Sequence, residues 1–363
     1  MLPPLSTEQQ TIQALLDELR GLPGIRAELL TLEGTLPNTW QRPDAEIALH
    51  IEDKHFTLRV EAKRELYPRD VREALWRLGP DSRNAAQNDL STIRLIAADS
   101  ISPGAKELLK TERVGYFDRG GSLYVPASGA YIYIDKPPPK SMAKAIRSLF
   151  TGRRSQVLHA LLLHPRESLN GKDLAERAQV STATVSQVLS ELDRLDLLNP
   201  NSLGTHKGRQ LREPGALLDQ WAQHLTLLKP PSFRRYFLPA ARADELLAAI
   251  AHAFNDHSVL YAVSFEAAAH IYAPFLSTVS QVKCRSFTGP ALEAALSALD
   301  ARVVEEGANF SLIETTSPGD LLFREQIGGA WLASPIQVYL DLLRSEGRAK
   351  ELAQNLRKER ILF

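Results

Sequence analysis

Apolar positions recur along the chain with two different periods, and each change of period marks an element. Ile12, Leu15, Leu16 and Leu19 fall at helical spacing and predict an amphipathic helix over 7–20. The period then drops to two. Ile47, Leu49 and Ile51 alternate with polar neighbours, and after Glu52, Asp53 and Lys54 the residues Phe56, Leu58 and Val60 do the same, which predicts a hairpin. Helices over 69–78 and 102–110 follow, interleaved with apolar strands at 93–98, 114–118 and 131–134. This part therefore reads as a mixed α/β domain, and Lys136-Pro137-Pro138-Pro139-Lys140, which continues neither helix nor sheet, closes it as a stiff linker.

Helical spacing returns in the middle of the chain. A short apolar helix over 155–164 ends at Pro165, Asn170 is placed to cap a second helix over 171–178, and Ser181 to cap a third. Small Ala175 lets the last two cross closely, while Leu174, Val180, Val185 and Val188 fill the angle between them. Leu197 and Leu198 begin a strand, and the loop over 199–212 combines Gly204 and Gly208 with His206, Lys207, Arg209 and Arg212. A helix over 215–228 precedes a break at Lys229-Pro230-Pro231-Ser232; beyond it a helical segment at 264–269 and a strand at 279–285 stand out. The expected class is α/β and α+β, with domains at 1–136, 141–214 and 215–363.

Composition narrows the chemistry. With 363 residues, 44% hydrophobic and 24% charged, the chain is of ordinary globular make-up and too long for one core. Lys plus Arg equals Asp plus Glu at 43 each, so a basic partner surface must be regional. Residues 144–212 hold eleven Lys and Arg against six Asp and Glu, which puts the cationic surplus on the helical middle segment. Cys284 is the only cysteine, which excludes an internal disulfide and a polythiolate zinc site. The start lacks a signal-peptide pattern and no apolar run approaches a membrane span, so a cytoplasmic protein without a membrane partner is expected. The nine histidines include no tight pair at ligand spacing with a third partner, and the run 115–121, rich in glycine, lies between strands and reads as a turn.

The segment from Leu174 to Leu189 resembles the helix-turn-helix of bacterial repressors, with Gln179 where that pattern usually has glycine. The resemblance implies that the second helix of the pair enters the major groove of double-stranded DNA. Thr182, Ala183 and Gln187 would then face base edges, Gln187 suiting adenine, while Ser181, Thr184 and Ser186 would meet phosphate oxygens. His206, Lys207, Arg209 and Arg212 would lie along the backbone as a wing, and no cofactor is required for such binding. Three-helix folds of this shape also serve as protein–protein modules; the basic wing favours DNA.

A second set of residues points to different chemistry. Pro43-Asp44 followed by Glu61-Ala62-Lys63 resembles the PD-(D/E)XK signature of restriction-endonuclease-like domains. A turn at Asp53-Lys54 would set Asp44 opposite Lys63 and Glu46 opposite Glu61, all on one face, with Asp44 and Glu61 as diagonal neighbours about 7–8 Å apart. The resemblance implies that Asp44 and Glu61 hold Mg²⁺ and that Lys63 assists as the third catalytic residue. Glu18 and Glu28 are candidates for a further acid, and Arg64, Arg69 and Arg72, expected on the next helix, for holding a nucleic-acid backbone. Such domains are also kept as inert folds, with the charges paired across the ladder.

Three further segments are similar to the AbiEi family, antitoxins of type IV toxin–antitoxin systems, in the branch with an endonuclease-like N-terminus. They are 115–124, with Gly121 in place of the usual Asn; 150–158; and Ala333-Ser334-Pro335-Ile336-Gln337-Val338-Tyr339-Leu340-Asp341-Leu342-Leu343 with Gly347-Arg348. Residues 264–269 are similar to a further element of that family. Membership implies a transcriptional repressor of its own operon, acting at inverted repeats and encoded beside a nucleotidyltransferase-like toxin, with oligomers open. The competing expectation is a Mg-dependent endonuclease guided by the helix-turn-helix; a third is a scaffold that binds a toxin through the C-terminal domain.

Overall fold

Ser6 starts the first helix, α1 (Thr7–Gly21), through a capping box: its hydroxyl accepts from the Gln9 amide at 3.2 Å, and the Gln9 side chain accepts from the Ser6 amide at 3.1 Å. The computed structural model describes residues 6–32, 43–79, 91–199, 208–239, 243–275 and 279–363. The described residues are of mixed α/β class and form two mixed seven-stranded sheets, and the chain divides into two compact units, residues 1–146 with 191–196 and residues 147–190 with 197–363. Among the described residues no helix is long and apolar enough to cross a membrane.

In the first unit the strands β1 (Ile25–Leu32), β2 (Ala45–Ile51), β3 (Lys54–Leu66), β4 (Thr92–Ile101), β5 (Gly115–Asp118), β6 (Leu123–Ala127) and β7 (Ala130–Ile134) lie side by side in chain order. The β3–β4 and β4–β5 pairs are parallel, and their crossovers carry α2 (Pro68–Leu78) and α3 (Pro103–Thr111). Alternation divides the sheet into two buried faces. Ile47, Leu49, Leu58 and Val60 pack with Leu15, Leu16 and Leu19 of α1, whereas Ile96, Ala98 and Tyr116 pack with Val71, Ala74 and Leu109 of α2 and α3. Each fully buried Leu or Ile contributes roughly 1.5–3 kcal/mol.

The hairpin register differs from the expected one. Ile51 pairs with Lys54 and Ala45 with Val60, so the turn is Glu52-Asp53, and Glu52 takes the left-handed conformation at φ 50°. Lys54 is held in the strand, its Nζ donating to the Gly129 carbonyl at 2.7 Å. The shift is by two residues, so every side chain keeps its face. Between β5 and β6, Gly121 turns the chain at φ 92°; a β-carbon there would come within 2.5 Å of Lys136 Nζ.

After the proline run come α4 (Lys140–Leu149), α5 (Gly152–Leu163), α6 (Gly171–Ala178), α7 (Thr182–Arg194) and α8 (Pro214–Thr226). The C-terminal sheet of the second unit has the order β11-β8-β12-β10-β9-β14-β13, where β8 is Arg234–Phe237, β9 Tyr261–Ser264, β10 Val282–Phe287, β11 Arg302–Val303, β12 Phe310–Thr315, β13 Glu325–Ile327 and β14 Ala330–Leu332. Around it lie α9 (Ala243–Asp256), α10 (Phe265–Tyr272), α11 (Pro290–Ala298), α12 (Pro335–Leu342) and α13 (Ala349–Leu356).

Two C-terminal segments conspicuous in the sequence meet in one buried polar network. Asp341 of α12 accepts from Ser264 Oγ at 2.6 Å, from Gln337 Nε2 at 2.9 Å and from the Arg285 guanidinium, so the buried charge pair is satisfied on both sides. A second link joins α5 to α12. His159 is buried, its Nε2 lies 2.5 Å from Ser334 Oγ, and its ring packs against Phe323 and Trp221. Residues 150–163 and the C-terminal segment thus share one core within this unit.

Candidate functional site

Asn170 holds the start of α6, its side-chain oxygen accepting from the Lys172 and Asp173 amides at 2.9 Å each. The helix ends where Gln179 adopts the left-handed conformation, φ 50° and ψ 45°, which a glycine usually supplies. Two residues later Ser181 starts α7: its hydroxyl accepts from the Thr184 amide at 3.2 Å and lies 3.0 Å from Thr184 Oγ1. Leu174, Ala175, Val180, Val185 and Val188 are buried where α6 and α7 cross.

The opposite side of α7 faces solvent. Thr182, Ala183, Ser186 and Gln187 are exposed, as is Ser181, while Thr184 is half-buried. Ser181 and Thr184, expected to reach phosphate, use their hydroxyls on each other and on the cap. The positive end of the helix dipole lies at Thr182, a position that favours anions. Hydrogen-bonding groups and a partial positive charge therefore stand together on one solvated helix end.

Beside α7 a small antiparallel arrangement joins Leu169 to Arg209 and Leu198 to Leu211. Arg209 and Leu169 exchange backbone hydrogen bonds at 2.7 and 3.0 Å, and the Arg212 amide donates to the Leu197 carbonyl at 2.9 Å. Both arginine side chains are half-buried. Gly204, His206 and Lys207, expected in the wing, lie outside the described residues.

Sequence reasoning overlooked Arg154. From the first turn of α5 its Nη1 donates to Ser148 Oγ at 2.7 Å and its Nη2 to Gln187 Oε1 at 2.9 Å. The signal was present in the pair Arg153-Arg154 ahead of an apolar helix, but the partner is 33 residues away.

The acidic cluster of the first unit is a separate site. Glu61 and Lys63 of β3 pair with Ile96 and Ala98 on the side of the sheet covered by α2 and α3, and Asp44 lies just ahead of β2. The observed register pairs Glu46 with Arg59 and Ala45 with Val60, a correction to the expected placement of Glu46 opposite Glu61 and Asp44 opposite Lys63. Asp44 Oδ2 accepts from the Ala62 amide at 2.6 Å. Glu61 is 1% exposed, and its Oε1 lies 2.9 Å from Lys63 Nζ and 3.5 Å from Arg77 Nη1. Two carboxylates are a donor set that Mg²⁺ accepts while keeping several waters. Here, however, Glu61 is already neutralised by two cations, and among the described residues no three His, Cys, Asp or Glu side chains gather as a metal site. Glu18 lies on α1, which packs on the other face, and Arg64 lies in β3, ahead of the helix that carries Arg69 and Arg72.

In the C-terminal segment Phe233, Arg235, Glu266, Lys283 and Arg344 line an open cleft of about 660 Å³, across which Lys283 and Glu266 pair at 3.0 Å. Its charges are mixed, so no single ligand sign is favoured.

No family model, curated protein or solved structure matches the chain.

Proposed function

We propose that the chain is a sequence-specific DNA-binding transcriptional repressor, with residues 141–214 as a winged helix-turn-helix and the rest of the organisation that of an AbiEi-type antitoxin. The observation that carries this reading is the solvated face of α7. Thr182, Ala183, Ser186 and Gln187 are exposed on a helix whose other side locks against α6. Exposed hydroxyls and an amide are the groups that exchange water for base edges, and the two-helix crossing holds them in fixed register. Arg153, Arg154, Arg209 and Arg212, from the same unit, supply the charge for phosphate.

A mobility-shift titration of the full chain on its own promoter tests the reading. Preference over random duplex is expected, with affinity falling steeply with salt as phosphate-bound cations are released. Equal affinity for both duplexes ends it. An antitoxin role adds a partner, a nucleotidyltransferase-like toxin encoded alongside, which is expected to co-purify or to be countered in co-expression.

A Mg-dependent endonuclease is the second reading, favoured by Asp44 being bonded to the Ala62 amide between the paired Glu61 and Lys63. The site would hold Mg²⁺ through Asp44 and Glu61, the ion serving to activate water and shield phosphate. Lys63 would be released from Glu61 to neutralise the scissile phosphate. Supercoiled DNA incubated with the protein and Mg²⁺ or Mn²⁺ decides it: cutting that Lys63→Ala abolishes supports the enzyme, and intact DNA leaves the paired-charge face as structural.

A further inference from the structure

Gln187 acting alone would read adenine, because its amide offers one acceptor and one donor to match the adenine N6 amino group and N7. The amide does not stand alone here. Arg154 Nη2 donates to its oxygen at 2.9 Å. Since a guanidinium carries only donors, the amide atom facing it must be the oxygen, which turns Nε2 and its two hydrogens away from Arg154. Arg154 is in turn fixed by Ser148, which accepts from Nη1 at 2.7 Å. Gln187 is exposed and Arg154 half-buried, so the pair lies at the surface with its geometry set before any ligand arrives.

From these contacts we propose that Arg154 and Gln187 form one composite reading head, and that it selects guanine where Gln187 alone would select adenine. The inference rests on the DNA-binding reading of α7 and specifies the base it takes. The pair presents mostly donors, the Nε2 hydrogens of Gln187 and the remaining guanidinium hydrogens of Arg154, against one lone pair left on Gln187 Oε1. Guanine shows two acceptors in the major groove, O6 and N7, and matches them. Adenine's amino group would have to share an oxygen already polarised by a cation, with the guanidinium hydrogens beside it as competing donors. Arg153, exposed beside Arg154, is left for the neighbouring phosphate.

Selection from a random duplex library with the full chain tests the proposal. The parent protein is expected to enrich a site holding a guanine whose preference disappears in Gln187→Ala. In Arg154→Ala the amide oxygen is released, and the ratio of guanine to adenine at that position is expected to fall about tenfold or more, within the range of one bidentate contact. Gln187→Glu, a change on an exposed helix face that leaves the core intact, is expected to move the preference to cytosine, whose N4 amino group needs an acceptor. Adenine at the Gln187-dependent position of the parent, or a guanine preference that survives both Arg154→Ala and Gln187→Glu, overturns the composite head and leaves the repressor reading standing. A library from which no sequence emerges overturns both.

Discussion

The polar face around Glu61 is built from charged side chains and that of α7 from neutral ones, and the two dispose of them in opposite ways. Glu61 is enclosed, with Lys63 at 2.9 Å and Arg77 at 3.5 Å from its carboxylate, and Asp44 accepts from the Ala62 amide. On α7 the residues Thr182, Ala183, Ser186 and Gln187 are exposed to water, Gln187 accepting from the half-buried Arg154. A polar group satisfied inside the protein gives its free energy to the fold and has little left for a ligand. One satisfied by water can exchange that water for a base or phosphate at small net cost. The first face should therefore register in stability and the second in binding.

The largest effect that could break this contrast is expected from Lys63→Ala. It deprives the enclosed Glu61 carboxylate of the cation at 2.9 Å, Arg77 standing farther off at 3.5 Å, at a cost of about 3 kcal/mol. Because Lys63 is itself 23% exposed, the value belongs at the low end for buried pairs. Urea unfolding measures it. A loss under about 0.5 kcal/mol would place Glu61 among solvated surface charges and erase the distinction.

Gln187→Ala probes the other side of the comparison. Unfolding free energy is expected to stay within about 0.5 kcal/mol, as for other exposed positions. Affinity for the selected duplex is expected to fall by about 2 kcal/mol, with little change on random duplex, because a base contact and not a phosphate contact is lost. Equal losses on both duplexes would assign Gln187 to the backbone.

What the sequence disclosed about these two faces follows from the range of the interactions. Ile12, Leu15, Leu16 and Leu19 gave away α1, and Asn170 and Ser181 gave away the starts of α6 and α7, because periodicity and caps act within a few residues. The hairpin faces were equally plain, since alternation decides them. The register was not: turns at Glu52-Asp53 and Asp53-Lys54 satisfy the same alternation, and the contacts that go with the observed one, such as Lys54 with Gly129, reach 75 residues along the chain. Arg154 with Gln187, and Arg285 with Asp341, were hidden for the same reason: an Arg in isolation does not indicate which distant acceptor it meets.

His159 sharpens the comparison through pH, because it lies in the core of the same unit that displays α7. Burial pushes its imidazole down to about 3, so it stays neutral in the folded chain. The unfolded chain takes up a proton near pH 6.5, and below that it binds more protons than the folded one. Stability is accordingly full above pH 6.5 and is lost as pH falls toward 3. The loss through this group is roughly 1.4 kcal/mol by pH 5.5. Unfolding curves for His159→Gln should lack that component. Identical pH slopes in parent and variant would mean that His159 is hydrated in the folded state.

The smallest effect is expected at the turn between α6 and α7. Gln179 holds a left-handed conformation at φ 50°, which costs an L side chain about 1–2 kcal/mol. Glycine relieves that strain but adds freedom to the unfolded chain, so Gln179→Gly should stabilise by about 0.5–1 kcal/mol at most. Thermal unfolding of the variant reads the gain, and operator affinity should not move, since Gln179 lies on the turn and not on the outer side of α7. If Gln179→Gly instead weakens DNA binding at unchanged stability, the Gln179 side chain takes part in recognition, and the boundary between the residues that shape this site and those that read through it has to be redrawn at the turn.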